Sequence, residues 1–330
     1  MREATEIRIV FMGTPEFSVP SLRALVGMQH IDARPIRVVG VFTQPDRPAG
    51  RGQKLTAPPV KTAALEAGIR VFQPERLRQP DALAQLIDLK PDLIVVVAYA
   101  QILPKTVLEL PRYGCLNVHA SLLPQYRGAS PIQAAILDGL ADTGVSVMKM
   151  DEGLDTGPVL SQVPVPIDPR DTCATLTTKL SAAGAGLLAS TLPGWIAGTT
   201  LAKPQDDSQA TITRLIKKEH GIIDWTLTAV RIEHQVRAMY PWPTAFTHYE
   251  GGPLKVLKAS VMSGAPEYSG DPGSLLVVEQ APVVGTGSGL LILEVVQPAG
   301  RRPMPASDWL RGAPHVEGTV LGTPEIASKY

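Results

Sequence analysis

The residues best suited to chemistry are an asparagine and a histidine two positions apart. Asn117 is the single asparagine of this 330-residue chain, and His119 follows it within the stretch Gly114–Pro124. The asparagine amide donates hydrogen bonds without carrying a charge. Beside a histidine at the end of a strand, such a donor is suited to stabilising a developing oxyanion. Taken alone, the asparagine is equally explained as a turn or capping residue, and the histidine as a hydrogen-bonded core residue.

A short loop rich in carboxylates is the second candidate. Asn117 and His119 lie on a predicted strand, Cys115–His119, so their side chains share one face of it. The loop Met150–Pro158 follows another predicted strand and carries three carboxylates and two glycines. It is either a solvated turn or a means of aiming an aspartate at His119, which would orient the imidazole ring. Sites in α/β sheets form where strands end, and Asn117 and His119 lie at such an end.

A third candidate is the loop Gln44–Lys54, which is rich in Pro and Gly. It carries three cations, Arg47, Arg51 and Lys54, against one anion, Asp46. One interpretation is a solvated flexible loop. The other is a finger that contacts the phosphates of an RNA, since Arg and Lys on a loop suit backbone contacts.

The glycines after the first predicted strand do not indicate a nucleotide cofactor. Gly13 follows that strand without the G-x-G-x-x-G spacing of a dinucleotide loop, and the sequence contains no G-x-x-x-x-G-K. NAD, FAD and ATP are therefore poorly supported, and Gly13 is interpreted as a tight turn.

Short apolar runs alternate with helical stretches in the first half of the chain. This alternation predicts an α/β fold with a doubly wound, Rossmann-like parallel sheet. Leu93–Val97 is apolar on both faces, as expected at the centre of such a sheet. The predicted strands are Ile7–Met12, Ile36–Phe42, Ile69–Phe72, Leu93–Val97, Cys115–His119 and Val145–Met150.

The second half of the chain changes character. A long Ala/Leu helix, Thr175–Trp195, is followed by a polar stretch without periodicity. We therefore predict a catalytic domain over 1–197, a linker over 198–216 and a C-terminal domain over 217–330. In the last of these, one amphipathic helix, Thr228–Met239, and short strands separated by Gly/Pro/Ser turns predict a small β-barrel.

Bulk composition limits the classes of partner. Lys+Arg and Asp+Glu are equal at 31 each, so the formal net charge is zero and any polyanion must be met by local patches. The two cysteines, Cys115 and Cys173, predict neither a disulfide framework nor a zinc site. The first residues do not resemble a signal peptide, and the longest apolar run, Leu93–Ala100, is too short to span a bilayer. We expect a cytoplasmic protein without a membrane role.

Together, these segments resemble the methionyl-tRNA formyltransferase family over nearly the whole chain. The paired motifs N-V-H-A-S-L-L-P and L-D-T-G are shared by the wider 10-formyltetrahydrofolate formyltransferases, whereas the loop T-Q-P-D-R-P-A-G-R-G and the C-terminal half are more specific to the tRNA enzymes. The matching segments are Thr43–Gly52, Asn117–Pro124, Leu154–Gly157, Pro241–Pro243 and Gln297–Gly300.

The resemblance implies transfer of a formyl group from 10-formyltetrahydrofolate, the co-substrate, to the α-amine of methionyl initiator tRNA, for translation initiation. It implies a C-terminal OB-like barrel and no metal, and we expect a monomer. Asn117 and His119 would donate to the alkoxide, and Asp155 would keep His119 charged or oriented. The implied residues are Asn117, His119 and Asp155 for catalysis; Ser121, Leu122, Leu123 and Pro124 for folate; and Arg47, Arg51 and Lys54 for tRNA.

Two features depart from that family's pattern. Residues 217–330 contain 10 Lys/Arg and 11 Asp/Glu, a net charge of 10 − 11 = −1, where a tRNA-binding barrel is expected to be basic. Gln125 stands where many members of the family carry a basic residue, although Arg127 remains. The alternatives are a glycinamide ribonucleotide or amino-sugar formyltransferase, a hydrolase of formyl-folate, and a non-catalytic RNA-binding protein.

Overall fold

A computed structural model of the chain describes residues 6–31, 33–49, 52, 54–263, 270–313 and 318–322. The chain divides into two compact units. The first comprises Met1–Pro131, Asp142–Pro166 and Thr177–Thr213, and the second comprises Ile132–Ala141, Ile167–Leu176 and Arg214–Tyr330. The domain borders predicted from the sequence stay predictions.

An eight-stranded sheet forms the centre of the first unit. Its strands run in the order β11-β10-β8-β7-β1-β3-β2, and β6 pairs with β3. Two further pairs, β4 with β5 and β9 with β12, lie outside it. The strands are β1 (Ile7–Gly13), β2 (His30–Ile31), β3 (Arg34–Phe42), β4 (Arg47–Ala49), β5 (Lys54–Thr56), β6 (Val71–Phe72), β7 (Leu93–Val97), β8 (Cys115–His119), β9 (Arg127–Gly128), β10 (Asp142–Lys149), β11 (Val159–Pro166) and β12 (Ile212–Thr213).

The predicted Rossmann-like α/β fold is confirmed, with one difference in strand direction. Strands β6, β3, β1, β7 and β8 are joined by parallel pairings. Strand β10, predicted as Val145–Met150 within the parallel alternation, runs antiparallel to β8, and β11 runs antiparallel to β10. The sheet is therefore mixed. A run of buried apolar residues indicates a strand without indicating its direction.

Buried apolar side chains hold β7 and β8 in place. All five residues of Leu93–Val97 are buried, as are Cys115, Leu116 and Val118 of β8. The long helix that contains Gly184 packs closely on one face of β8, because a Cβ at Gly184 would lie 2.9 Å from Cγ1 of Val118. Val118 points to the helix side, so its neighbours Asn117 and His119 point to the other face.

Six α-helices are described before residue 198, of which the fifth and the first turn of the sixth fall in segments that group with the second unit. Prolines occupy the first turn of the first three, where a missing backbone N–H costs little. The sixth is the one described helix that is long and apolar enough to cross a bilayer by length and composition, a test that the core helix of a soluble protein also passes. The helices are α1 (Val19–Gly27), α2 (Pro59–Glu66), α3 (Pro80–Asp88), α4 (Lys105–Leu108), α5 (Pro131–Leu137) and α6 (Cys173–Ala197).

The second unit is built on an antiparallel sheet in the order β13-β14-β17-β16-β15, with β18 paired to β17. Trp225 and Trp309 belong to its apolar core, and Thr228 caps the helix α7 by accepting a hydrogen bond from the N–H of Arg231. This order is compatible with the predicted OB-like barrel, whose closure stays a prediction. The elements are α7 (Ala229–Ala238), β13 (Ala245–Tyr249), β14 (Gly252–Val261), β15 (Leu275–Val278), β16 (Ala281–Gly285), β17 (Leu290–Pro298), β18 (Met304–Pro305) and α8 (Ala306–Gly312).

Candidate active site

Three predicted catalytic residues lie together at the carboxyl end of β8. The Nδ2 atom of Asn117 donates to Oδ1 of Asp155 at 3.3 Å, and Nδ1 of His119 lies 3.7 Å from Oδ2 of Asp155. The side chains of His119 and Asp155 are 7% and 15% exposed, so both are largely shielded from solvent. The structure thus brings together, from two separate segments, an amide, an imidazole and a carboxylate.

Asp155 reaches this position because its loop is unusually tight. Asp155 has a φ of +53°, a left-handed conformation that residues other than glycine adopt rarely. At Gly157 a Cβ would lie 1.9 Å from the carbonyl oxygen of Lys149, so only glycine fits. The backbone N–H of Gly128 donates to Oδ2 of Asp155 at 2.8 Å and so fixes the carboxylate.

Both ring nitrogens of His119 face oxygen acceptors. Nε2 lies 3.0 Å from the carbonyl oxygen of Tyr126, and Nδ1 faces Asp155. A neutral imidazole donates from only one nitrogen, whereas the protonated ring donates from both. The Asn117 amide has two N–H groups, and its bond to Asp155 leaves the second for a substrate oxygen. The roles of Asn117 and His119 toward an oxyanion stay predictions.

The predicted folate segment, Ser121 to Pro124, forms a turn with a cis peptide bond between Leu123 and Pro124. Ser121 is fully buried and its hydroxyl donates to the carbonyl of Gln125 at 2.6 Å. Leu123 is also buried, and its N–H donates to Oγ of Ser146 at 3.0 Å. Leu122 and Pro124 are the partly exposed members, so they are the ones with surface to offer a ligand. Folate binding by this segment stays a prediction.

The predicted tRNA loop is described at its two ends. Arg47 on β4 is exposed and lies 4.0 Å from Glu75, and Lys54 on β5 is exposed. Arg51 lies outside the described residues. Contact of these three residues with tRNA stays a prediction.

The base of that loop is anchored by a polar network around Asp46. Gln73 donates to the Asp46 carboxylate at 2.7 Å, and the Lys61 ammonium lies 2.8 Å from both of its oxygens. These hydrogen bonds, that from Gln73 first and that from Lys61 next, hold the pKa of Asp46 below its ordinary value. Gln44 at the start of the loop donates to the carbonyl of Tyr99 at 3.1 Å. The loop therefore starts from a fixed position.

The loop after β7 has a feature that was not identified from the sequence. Ala98 and Ala100 there have φ values of +46° and +61°, and Ile102 is 91% exposed. Left-handed residues other than glycine cluster at functional loops. Alanines give no sign of it in a sequence.

A glycine did offer a signal that sequence reasoning missed. Gly128, on β9, has a φ of +103°, and a Cβ there would lie 2.4 Å from the carbonyl oxygen of Thr213. No other residue type fits such a position without displacing the backbone. The same glycine donates to Asp155. It lies two residues after Tyr126, so this hydrogen bond connects Asp155 to the segment that follows the predicted folate turn.

With this geometry in place, comparison with known proteins defines the class. A family model for formyl transferases matches residues 7–192, and a model for the formyl transferase C-terminal domain matches residues 215–314. The chain belongs to the formyl transferase family.

Within that family it groups with the methionyl-tRNA formyltransferases, as the sequence motifs predicted. It is 49% identical to the methionyl-tRNA formyltransferase of Roseiflexus castenholzii over 96% of this chain and 99% of that protein. It is 48% identical to that of Bacillus subtilis, over 96% of this chain and 98% of the other.

Solved structures share the fold at lower identity. The N-formyltransferase from Helicobacter canadensis, in complex with folinic acid and dTDP-3-aminofucose, superposes with a TM-score of 0.65 at 20% identity, covering 88% of this chain and 99% of the other. HypX from Aquifex aeolicus, in complex with tetrahydrofolic acid, gives a TM-score of 0.60 at 17% identity, covering 92% of this chain and 47% of HypX.

Proposed function

We propose that this chain transfers the formyl group of 10-formyltetrahydrofolate to the α-amine of methionyl initiator tRNA, giving formylmethionyl-tRNA. The observation that supports this most directly is the cluster of Asn117, His119 and Asp155 at the end of β8. Its relatives at 47–49% identity bear the same activity in their names.

In the proposed reaction the amine nitrogen attacks the formyl carbon. The amine must be neutral, and a free α-amino pKa of about 8 leaves a useful fraction of it neutral at pH 7. The attack forms a C–N bond and converts the formyl oxygen into an alkoxide. The free N–H of Asn117 donates to that oxygen, and one such donor is worth roughly 3–4 kcal/mol. In the proposal His119 also supports the alkoxide, and Asp155 orients its ring.

Collapse of the tetrahedral intermediate completes the transfer. The bond from the formyl carbon to N10 of the folate breaks, N10 gains one proton, and the former amine loses one. In this proposal Asp155, whose side chain is 15% exposed, accepts the amine proton through a water molecule. The proposed reaction forms no covalent bond to the enzyme.

We also propose that the protein binds tRNA through the 44–54 loop and acts as a cytoplasmic monomer without a membrane role. The long apolar helix α6 packs on the first unit as a core helix does: Ser181 donates to the carbonyl of Phe17, and Trp195 donates to the carbonyl of Tyr113. Light scattering on the purified chain tests the oligomeric state. A dimer at micromolar concentration would remove the monomer proposal.

A substrate comparison tests the proposed activity. Purified protein is incubated with 10-formyltetrahydrofolate and one of three acceptors: methionyl initiator tRNA, glycinamide ribonucleotide or an amino-sugar nucleotide. We expect formylation of the tRNA only. Transfer to either small acceptor but not to the tRNA would overturn the proposal, and release of formate without any acceptor would identify a hydrolase.

A further inference from the structure

A segment predicted as part of the linker lies along the candidate site. This segment, residues 203–213, is the strap. The N–H and the carbonyl of its first residue, Lys203, each form a hydrogen bond of 2.8 Å with the backbone of Val159. The strap ends in β12, which pairs in parallel with β9. It therefore spans the distance from the loop that carries Asp155 to the segment that carries Gly128.

Gln205, near the start of the strap, binds the backbone of the Asp155 loop. Its Nε2 donates to the carbonyl oxygens of Asp155 and Gly157, both at 2.7 Å. Both protons of the amide are used in these two bonds. One of them holds the backbone of Asp155, whose left-handed φ of +53° is a strained conformation that surrounding contacts must stabilise.

The other end of the same amide binds a buried arginine. Oε1 of Gln205 accepts from Nε and Nη2 of Arg127, at 3.1 and 2.9 Å. Arg127 is 6% exposed, so its charge needs such partners, and Asp207 supplies one more at 2.7 Å. The residues on either side of Arg127 contact the catalytic pair: the Tyr126 carbonyl faces His119, and the Gly128 N–H binds Asp155.

From these contacts we infer that Gln205 is a positioning residue that sets the orientation of Asp155 toward Asn117 and His119. One side chain joins the two backbone segments that enclose the carboxylate. The inference rests on the catalytic role proposed above for Asp155.

Gln205→Glu separates the donor role from the anchoring of Arg127. Glutamate has the same length and still accepts from Arg127, but it loses both N–H donors and sets an oxygen against the two carbonyls. We expect kcat to fall by at least tenfold and by up to about 100-fold, the loss that a displacement of about 1 Å produces. The KM for each substrate should change by less than roughly twofold, because the binding surfaces stay in place.

Asp207→Asn is the matched control. Asp207 lies on the same strap and binds the same arginine, but its side chain is 83% exposed and pairs with Arg127 and not with the Asp155 loop. It should keep kcat within about threefold of the native protein, because asparagine retains an Oδ1 acceptor for Arg127.

A second measurement reports on the carboxylate without any substrate. Asn117 is the one asparagine of the chain, so protein labelled with ¹⁵N-asparagine shows a single side-chain amide pair, and that amide bonds to Asp155. We expect this pair of resonances to shift in Gln205→Glu and to stay in place in Asp207→Asn. If the native protein formylates none of the acceptors, the proposed function fails while this resonance still decides the positioning role.

Two results would overturn the inference. One is native kcat with an unshifted amide pair in Gln205→Glu. The other is an equal loss of kcat in Gln205→Glu and Asp207→Asn, which would show general support of Arg127. Should Gln205→Glu fail to fold, as judged by its thermal transition, Gln205→Met removes the donors and the Arg127 acceptor together, and an unshifted Asn117 amide pair in that variant would overturn the inference.

Discussion

Asn117 donates one of its two amide protons to Asp155, across a gap of 38 residues in the chain. This bond fixes the rotation of the amide, so that the remaining N–H points in one direction. The two residues are therefore one unit in the proposed reaction: Asp155 aims the donor that Asn117 supplies.

The first prediction is that these two residues are energetically coupled. Asn117→Ala and Asp155→Ala should each lower kcat by about 10²–10³, the usual loss for one oxyanion donor. The double variant should lose much less than the product of the two, because residues that act as a unit are not additive. Steady-state formyl transfer from the folate measures all three.

Glu152→Ala is the control for that cycle, since Glu152 lies on the same loop but pairs with Lys105 at 3.3 Å on the exposed side. Full additivity of the two losses, or a loss in the control as large as that in Asp155→Ala, would show that the coupling is not specific.

The second prediction concerns the network at the base of the 44–54 loop. Lys61→Met removes the cation that binds both oxygens of Asp46. We expect a higher KM for the tRNA with the folate KM unchanged, because the loop loses its fixed start while the cluster on β8 is untouched. Arg51→Ala should act in the same direction and reduce the dependence of tRNA affinity on salt by about one ion.

The control for Lys61→Met is Glu66→Gln, which breaks the exposed ion pair between Arg23 and Glu66, 3.8 Å apart. The hydrogen bonds from Gln73 and Lys61 lower the pKa of Asp46. The stability that the Asp46 carboxylate gives to the base of the loop is therefore present above about pH 4 and is lost as the pH falls further. An equal rise of the folate KM in Lys61→Met would mean that the loop closes on the folate instead.

The third prediction concerns the tight loop of Asp155. Gly157→Ala places a methyl group 1.9 Å from the carbonyl oxygen of Lys149, so the loop must move. We expect the free energy of unfolding to fall by about 1–3 kcal/mol, the range for an overpacked site. We also expect kcat to fall, because Asp155 moves with the loop.

Gly186→Ala is the matched control on α6, where a Cβ would meet nothing within 4 Å. It should raise the free energy of unfolding by about 0.5–1 kcal/mol, since alanine is the better helix former. Chemical denaturation measures both variants, and native stability with native kcat in Gly157→Ala would contradict the geometry of the loop.

The fourth prediction concerns the thiol next to the catalytic strand. Cys115 is buried and its S–H donates to the carbonyl of Val107 at 3.5 Å. Burial raises the pKa of this thiol to about 12. At pH 8 its thiolate fraction is then roughly 10⁻⁴, so alkylation of the folded Cys173→Ser variant by iodoacetamide should be about 10³-fold slower than after denaturation. Equal rates in the two states would show that β8 opens readily.

The central strands were predictable because burial alone defines them. Leu93–Val97 is apolar at every position, and the structure places it in the middle of the sheet. An aspartate of the 150–158 loop facing His119 was one of two interpretations of the sequence, and the family resemblance indicated Asp155; β10 proved antiparallel. Pattern reasoning finds which residues lie inside and leaves strand direction open.

Gln205 shows why the rest of the site could not be predicted. Its importance comes from four hydrogen bonds made by one side chain to groups about 50 and 78 residues away. Such contacts leave no periodicity, so the polar stretch around it resembles a linker. Arg127 is similar, since an arginine in a sequence is interpreted as exposed, whereas this one is buried against the strap.

Strand β11 lies at the rim of the large sheet, where pairing with other molecules is a hazard. A rim strand offers unpaired N–H and C=O groups to strands of other molecules. Two devices block this template: Lys203 occupies the backbone groups of Val159 at one end, and Pro164 and Pro166 lack the N–H groups that a foreign strand would need at the other. The strap that borders the candidate site thus also helps to keep the sheet from recruiting neighbouring chains.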